Sequence, residues 1–148
     1  MADYRVKYFD ELSLEELYGI LRLRSEVFVV EQNCPYQDLD NLDQQSIHLW
    51  ENSGDKIISY SRILQEGILY PGFCSIGRVI TRQQNRGKGR GRQMMLAAIA
   101  YCEENFPCTP IKIMAQTYLI PFYQSLGFQK VGKEFLEDGI PHHYMERH

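Results

Sequence analysis

The sequence predicts an α/β fold in which a single mixed, mostly antiparallel and twisted sheet is flanked by helices. Short segments of alternating or continuous apolar residues recur along the chain and predict strands. Helix-period runs lie between them, and one follows a glycine-rich bend directly after a strand. A chain of 148 residues is long enough for one domain with a core and too short for two, so one domain over 1–148 is expected.

Seven segments are predicted to be strands, each bounded by turn-forming residues. The second and third are joined by Ser53-Gly54-Asp55, a turn that is typical of hairpins. In chain order, the predicted strands cover residues 4–9, 47–51, 56–64, 73–81, 111–115, 128–131 and 142–146.

Three helices are predicted between these strands. Ser13, with Glu16 three residues later, forms a capping box that opens the first helix. The second helix follows the glycine-rich bend and continues to about Phe106, and the third is a short helix closed by Gly127. The apolar face of the first helix is predicted to carry Leu14, Leu17, Tyr18, Leu21 and Phe28.

Composition restricts the possible function classes. The chain is 44% hydrophobic and 24% charged, as in globular proteins, and its net charge of −3 argues against a nucleic-acid-binding protein. The four cysteines form no CxxC pair, so we expect neither a metal site nor a disulfide framework. We therefore expect the protein to work in a reducing compartment. No apolar run approaches ~18 residues and no signal segment is apparent, so a cytoplasmic protein without membrane attachment is expected.

The segment Arg86-Gly-Lys-Gly-Arg-Gly-Arg92 carries the most functional information. It places three alternate glycines and four cationic residues between a predicted strand and a predicted helix. Unpaired N–H groups and the positive dipole end of a helix favour anions, and glycine lets a polyanion approach the backbone closely. No acidic residue occurs between Glu66 and Glu103. The segment therefore predicts a site for a phosphate-bearing ligand.

Two common phosphate motifs do not fit this segment. A P-loop requires Ser or Thr after its lysine, and none follows Lys88, while a dinucleotide fingerprint requires G-x-G-x-x-G. Residues 86–91 instead match [RQ]-x-x-G-x-[GA], at which point the chain resembles the Gcn5-related N-acetyltransferases. Residues 121–128 are similar to that family's FYxxxGF segment, and residues 23–43, with His48-Leu49, resemble its ElaA-type subgroup.

This resemblance implies an acetyl-CoA-dependent transferase that moves an acetyl group to a primary amine by direct attack in a ternary complex. The glycine loop would hold the pyrophosphate, one of its cations would reach the 3′-phosphate, and the preceding strand would line the pantetheine arm and offer an oxyanion donor. Each cation could instead be a solvated surface charge. The implied cofactor-binding residues are Val79, Ile80, Thr81, Arg86, Gly87, Lys88, Gly89, Arg90, Gly91 and Arg92.

The resemblance also implies catalytic residues. Tyr123 occupies the family position of the general acid, although it could simply pack a helix against a sheet. Many family members carry a glutamate on the strand before the loop, where this chain has Cys74-Ser-Ile-Gly77. Glu31 and His48 are the remaining candidates for the base, Glu31 because it ends an apolar run and His48 because imidazole titrates near neutrality. Either could be a satisfied structural residue, with water carrying the proton.

The expected partner is a small-molecule or peptide amine, and a homodimer is possible. The cluster Asp38, Asp40 and Asp43 either caps turns or presents negative charge to a cationic amine. The alternative function is a non-catalytic acyl-CoA-binding sensor or interaction module, which the missing strand glutamate favours. A nucleotide- or nucleic-acid-binding role for the basic patch from Arg78 to Arg92 is disfavoured by the net charge of −3.

Overall fold

The structure is a computed structural model that describes residues 2–148. Short 3₁₀ turns lie between several elements, and a π-helical segment, Ser25–Glu31, continues the first helix. In chain order, the strands and helices are β1 (Asp3–Tyr8), α1 (Leu14–Arg24), β2 (Ile47–Ser53), β3 (Lys56–Leu64), β4 (Ser75–Thr81), α2 (Arg90–Asn105), β5 (Ile111–Gln116), α3 (Ile120–Gln124), β6 (Gln129–Glu137) and β7 (Ile140–Arg147).

The strands confirm the predicted antiparallel architecture and add one difference. Within residues 2–148 they form two sheets, with strand orders β1-β2-β3-β4 and β5-β7-β6, where the sequence predicted a single sheet. An isolated parallel bridge joins Cys74, just before β4, to Ile111. Arg78, inside β4, has a φ of 51°. A non-glycine residue in this left-handed region interrupts the regular pleat of β4.

The chain divides into two compact units. The first unit comprises the residues up to Ile63 together with Arg78–Ala98, and the second comprises Leu64–Gly77 and Ile99–His148. The expectation of a single domain over 1–148 stays a prediction. None of the helices among the described residues combines the length and the apolar character that a membrane span requires.

In the first unit, α1 begins as predicted, but its predicted apolar face packs only in part. The Ser13 hydroxyl accepts the Glu16 amide at 3.0 Å, and the Glu16 carboxylate accepts the Ser13 amide at 2.8 Å, which confirms the capping box. The buried stripe is Ile20, Leu23 and Val27, which packs with Trp50, Tyr60 and Ile80. Leu14 and Tyr18 are 86% and 73% exposed. Of the predicted face, Phe28 packs against this core, whereas Leu14 and Tyr18 do not.

In the second unit, α3 is held to the last strand of the three-stranded sheet. Gly127 closes the helix with a φ of 93°, as predicted, because a left-handed cap favours glycine. The Arg147 guanidinium on β7 donates from Nε to the Leu126 carbonyl at 2.9 Å. This bond fastens the C-terminal end of α3 to one face of the sheet.

Candidate active site

The glycine loop lies in the first unit, directly before α2. Gly87 and Gly89 have φ values of 82° and 72°, and a Cβ built on either would meet nothing within 4 Å. The first helical bond of α2 runs from the Gln93 amide to the Gly89 carbonyl at 3.0 Å. The amides of Arg90 and Gly91 precede that bond and therefore have no acceptor within the helix. An open backbone, unpaired helical donors and the helix dipole together form a geometry that suits a phosphate group.

Two of the four predicted cations are held by carboxylates. The Arg86 guanidinium donates to Glu31 Oε1 and Oε2 at 2.9 and 2.6 Å, and its Nε donates to the Thr81 carbonyl at 3.0 Å. Arg90 donates to Glu51 Oε2 at 2.6 Å. Lys88 and Arg92 are exposed at the surface. Arg86 and Arg90 therefore shape the loop, a use of their charge that the sequence did not indicate.

The end of β4 meets the loop and the first turn of α2. Ile80 is buried in the core, while Val79 and Thr81 are half-buried. A Cβ built on Gly91 would lie 3.9 Å from Thr81 Oγ1, which shows how closely the helix start approaches the strand. The structure thus brings the predicted strand segment, loop and helix start together within the first unit.

Glu31 does not have the environment on which its predicted basic role depended. Its side chain is 27% exposed, and both carboxylate oxygens accept hydrogen bonds from Arg86. The side chain therefore keeps contact with water, and both of its oxygens already have a partner. The geometry favours the alternative in which Glu31 is a structural residue, because its ion pair orients Arg86.

His48 is completely buried, and both of its ring nitrogens are used. Nε2 lies 2.9 Å from the Asp43 carbonyl oxygen, and Nδ1 lies 2.7 Å from the Tyr60 hydroxyl. A carbonyl only accepts, so Nε2 carries the proton and Nδ1 accepts from Tyr60. Burial lowers the pKa of His48 and favours this neutral form. No nitrogen lone pair remains to accept a proton from a substrate. The geometry therefore favours the alternative in which His48 is a structural residue whose hydrogen bonds are all made within the protein.

Tyr123 lies in the second unit, on α3. Its ring contacts Phe122 and Phe128, with centroid separations of 5.1 and 5.9 Å. Burial raises the pKa of Tyr123 to about 12, with a smaller contribution from Tyr118. The phenol is therefore protonated at neutral pH and can donate a hydrogen bond. Its role as the acid stays a prediction.

Residues 10–148 match the model of the family described as the acetyltransferase (GNAT) domain. This chain belongs to the GNAT family. Protein ElaA of Escherichia coli K12 is 42% identical, over 99% of this chain and 97% of that protein. An acyl-CoA N-acyltransferase from Pseudomonas aeruginosa is 39% identical and superposes with a TM-score of 0.96 over 100% of both chains. The crystal structure of Escherichia coli ElaA, also 39% identical, superposes with a TM-score of 0.93 over 100% of both chains.

The GNAT chain also contains a cluster of equal numbers of acidic and basic side chains, of which the sequence indicated only the acidic ones. It consists of three aspartates from one loop and three arginines from α1, β3 and β4, namely Asp38, Asp40, Asp43, Arg24, Arg62 and Arg78. Arg24 is fully buried and donates to Asp38 Oδ2 at 3.0 Å and Asp43 Oδ1 at 2.6 Å. In the sequence Arg78 stood out only as the first residue of a basic patch, and nothing in the spacing of the three arginines indicated the aspartates.

This cluster leaves little negative charge for a substrate. Arg62 binds both oxygens of Asp40 at 2.8 Å, and Arg78 binds Asp38 Oδ1 at 2.8 Å. Each aspartate therefore has a cationic partner, so the geometry does not support the predicted presentation of negative charge to an amine. Among residues 2–148, no group of three or more His, Cys, Asp or Glu side chains is arranged to hold a metal ion.

We expect the stability of this GNAT protein to fall as the pH drops below about 6.5. The folded protein holds His48 neutral with a lowered pKa, whereas the unfolded chain protonates it at about 6.5, so acid favours the unfolded state. Urea unfolding at several pH values between about 7.5 and 5 measures the effect. The variant His48→Gln should lose most of this slope. An unchanged slope in the variant would show that His48 is not its source.

Proposed function

We propose that this protein is an acetyl-CoA-dependent N-acyltransferase that moves an acetyl group to a primary amine by direct attack in a ternary complex. The observation that carries the proposal is the open glycine loop at the start of α2, where the amides of Arg90 and Gly91 precede the first helical hydrogen bond. Membership of the GNAT family and the similarity to an acyl-CoA N-acyltransferase support it. The acceptor is a small-molecule or peptide amine.

The cofactor would bind along the first unit. Its pyrophosphate would lie on the amides between Gly87 and Gly91, and its pantetheine arm would follow Val79–Thr81. Arg86 and Arg90 are held by Glu31 and Glu51, so we assign the 3′-phosphate contact to the exposed residue Lys88. A backbone amide near Val79 or Ile80 would stabilise the oxyanion.

Tyr123 would stabilise the departing sulfur. Burial raises the pKa of Tyr123 to about 12, so the phenol keeps its proton until thiolate develops. Complete transfer to a thiolate with a pKa of about 8.5 would be uphill by roughly 5 kcal/mol. Tyr123 therefore acts first as a hydrogen-bond donor to the sulfur, and proton transfer follows as its own environment changes.

A non-catalytic acyl-CoA-binding module is the second candidate. It is favoured because Glu31 and His48 are both engaged in internal contacts, and because residues 74–77 contain no carboxylate. A module of this kind would bind CoA through the same loop but would transfer nothing.

Thiol release from acetyl-CoA, measured against a panel of amines, tests the proposal. We expect release that depends on both the protein and the amine, with the acetylated amine identified by mass spectrometry. Calorimetric binding of CoA without amine-dependent release would support the binding module instead. The absence of both would reject the two candidates together.

The variant Tyr123→Phe should reduce kcat roughly 100-fold, because it removes the phenolic proton but keeps the ring and its packing. The Kd for CoA should change by less than about twofold. Tyr118→Phe is the matched control, since Tyr118 is 74% exposed on the preceding turn. Equal kcat values in the two variants would show that the Tyr123 hydroxyl takes no part in catalysis and that its ring only packs.

A further inference from the structure

Arg78 has an unusual backbone conformation for a residue inside a strand. Its φ is 51°, whereas the other non-glycine residues with a positive φ, among those that the structure describes, lie outside the strands, namely Asn33, Asn41, Cys108 and Asp138. The left-handed conformation costs free energy for any residue with a Cβ, and Asn and Asp tolerate it best. Contacts elsewhere must therefore hold Arg78 in this conformation.

The side chain of Arg78 supplies those contacts. Its Nε donates to Asp38 Oδ1 at 2.8 Å, and its Nη2 donates to the Asp38 carbonyl at 3.0 Å and to Asp40 Oδ2 at 3.3 Å. The guanidinium carbon also lies 5.9 Å from the centroid of the Tyr36 ring. These contacts join the bend in β4 at Arg78 to the loop from residue 36 to residue 43.

Asp38 is a fixed anchor for this arginine. The fully buried Arg24 donates from Nε to Asp38 Oδ2 at 3.0 Å and from Nη2 to the Asp38 carbonyl at 3.2 Å. The Tyr36 hydroxyl donates to Asp38 Oδ1 at 2.8 Å. Asp38 is only 5% exposed, so its charge is shielded from water and interacts more strongly with the arginines than it would at the surface. The Asp38 carboxylate therefore has little freedom to move with Arg78.

The bend lies directly before the strand segment that is expected to line the cofactor. A positive φ at residue 78 rotates the following peptide group, which carries the Val79 amide, away from its direction in a regular strand. The same segment ends at Thr81, whose Oγ1 lies 3.9 Å from a Cβ built on Gly91 at the start of α2. Arg78, Val79, Asp38 and the glycine loop all belong to the first unit.

We propose that Arg78 is a positioning residue, whose ion pair with Asp38 holds the bend in β4 that directs the Val79 amide at the thioester carbonyl oxygen. The inference rests on the proposed acyl transfer. An amide that already points to the place where negative charge develops stabilises the transition state without reorganisation. Arg78 itself touches neither the cofactor nor the amine, and it acts through the backbone of its own strand.

The test compares Arg78→Ala with Arg78→Gly. Both variants remove the guanidinium, but only glycine adopts the left-handed conformation at no steric cost. With acetyl-CoA and the most active amine, we expect kcat to fall roughly 100-fold in Arg78→Ala and to recover about 10-fold or more in Arg78→Gly. The Kd for CoA, which has no acetyl carbonyl, should change by less than about twofold in either variant.

Asp138 provides the matched control, because its φ is 52° and it lies in the turn between β6 and β7. At both positions glycine should resist urea better than alanine, since alanine does not fit a positive φ. Only at residue 78 should the two substitutions differ in kcat. Equal kcat values in Arg78→Ala and Arg78→Gly would overturn the inference, as would an equal kcat difference between Asp138→Ala and Asp138→Gly.

Infrared spectra of acetyl-CoA labelled with ¹³C at the acetyl carbonyl separate this inference from the proposed function. We expect the carbonyl stretch to move to lower frequency when the wild type binds the thioester, and the shift to be kept in Arg78→Gly and lost in Arg78→Ala. This pattern without transfer to any amine would reject the proposed function alone. An unshifted carbonyl in the wild type would overturn the inference whether or not transfer occurs, and it decides the question if circular dichroism shows that a variant is unfolded.

Discussion

Replacement of Gly89 by aspartate is expected to weaken CoA binding by at least about 100-fold, or roughly 2.7 kcal/mol. The Cβ of residue 89 would project into open space, so the new carboxylate would stand where the pyrophosphate is expected. Two like charges about 4 Å apart repel by about 4 kcal/mol at the effective dielectric near a protein surface. Isothermal titration calorimetry with CoA measures the loss directly.

Gly67→Asp is the matched control for this experiment. Gly67 has a φ of 83° and open space around its Cβ, so the substitution adds the same charge and a similar backbone penalty in a different loop. The control should keep the wild-type Kd. Equal affinity of Gly89→Asp and the wild type would show that the glycine loop is not the phosphate site, and equal losses in both variants would indicate a general effect of charge or strain.

Replacement of Arg24 by methionine is expected to lower the free energy of unfolding by about 3–5 kcal/mol. Arg24 is completely buried, and its guanidinium binds the carboxylates of Asp38 and Asp43. Methionine can fill the space along the aliphatic stem, but it leaves those two shielded carboxylates with less positive charge. Urea unfolding followed by circular dichroism measures the change.

An exposed pair provides the contrast. Arg5 and Asp3 form an ion pair whose side chains are 48% and 53% exposed, so Arg5→Met should change the unfolding free energy by no more than about 0.5 kcal/mol. A loss below about 1 kcal/mol for Arg24→Met would mean that water or rearrangement of Arg62 and Arg78 compensates the aspartates. We would then conclude that the ion pairs of Arg24 do not hold the loop from residue 36 to residue 43 in place.

Local sequence signals determined the parts of this protein whose hydrogen bonds and backbone conformation depend on residues a few positions apart. The Ser13–Glu16 capping box, the Gly127 cap and the glycine loop between β4 and α2 all depend on backbone conformation within a few positions. Those signals, with the family resemblance, were enough to predict the antiparallel strands with flanking helices and the family, and to propose where the cofactor binds.

Only the tertiary structure decided how the polar side chains are paired. Glu31 and Arg86 are 55 positions apart and still form a two-point ion pair, and Arg78 reaches Asp38 across 40 positions. His48 offered a plausible base in the sequence, but Tyr60 and the Asp43 carbonyl occupy its two nitrogens. A charge or lone pair is available for chemistry only if no neighbour already uses it. Those neighbours are set by packing between distant segments, which the periodicity of one segment does not encode.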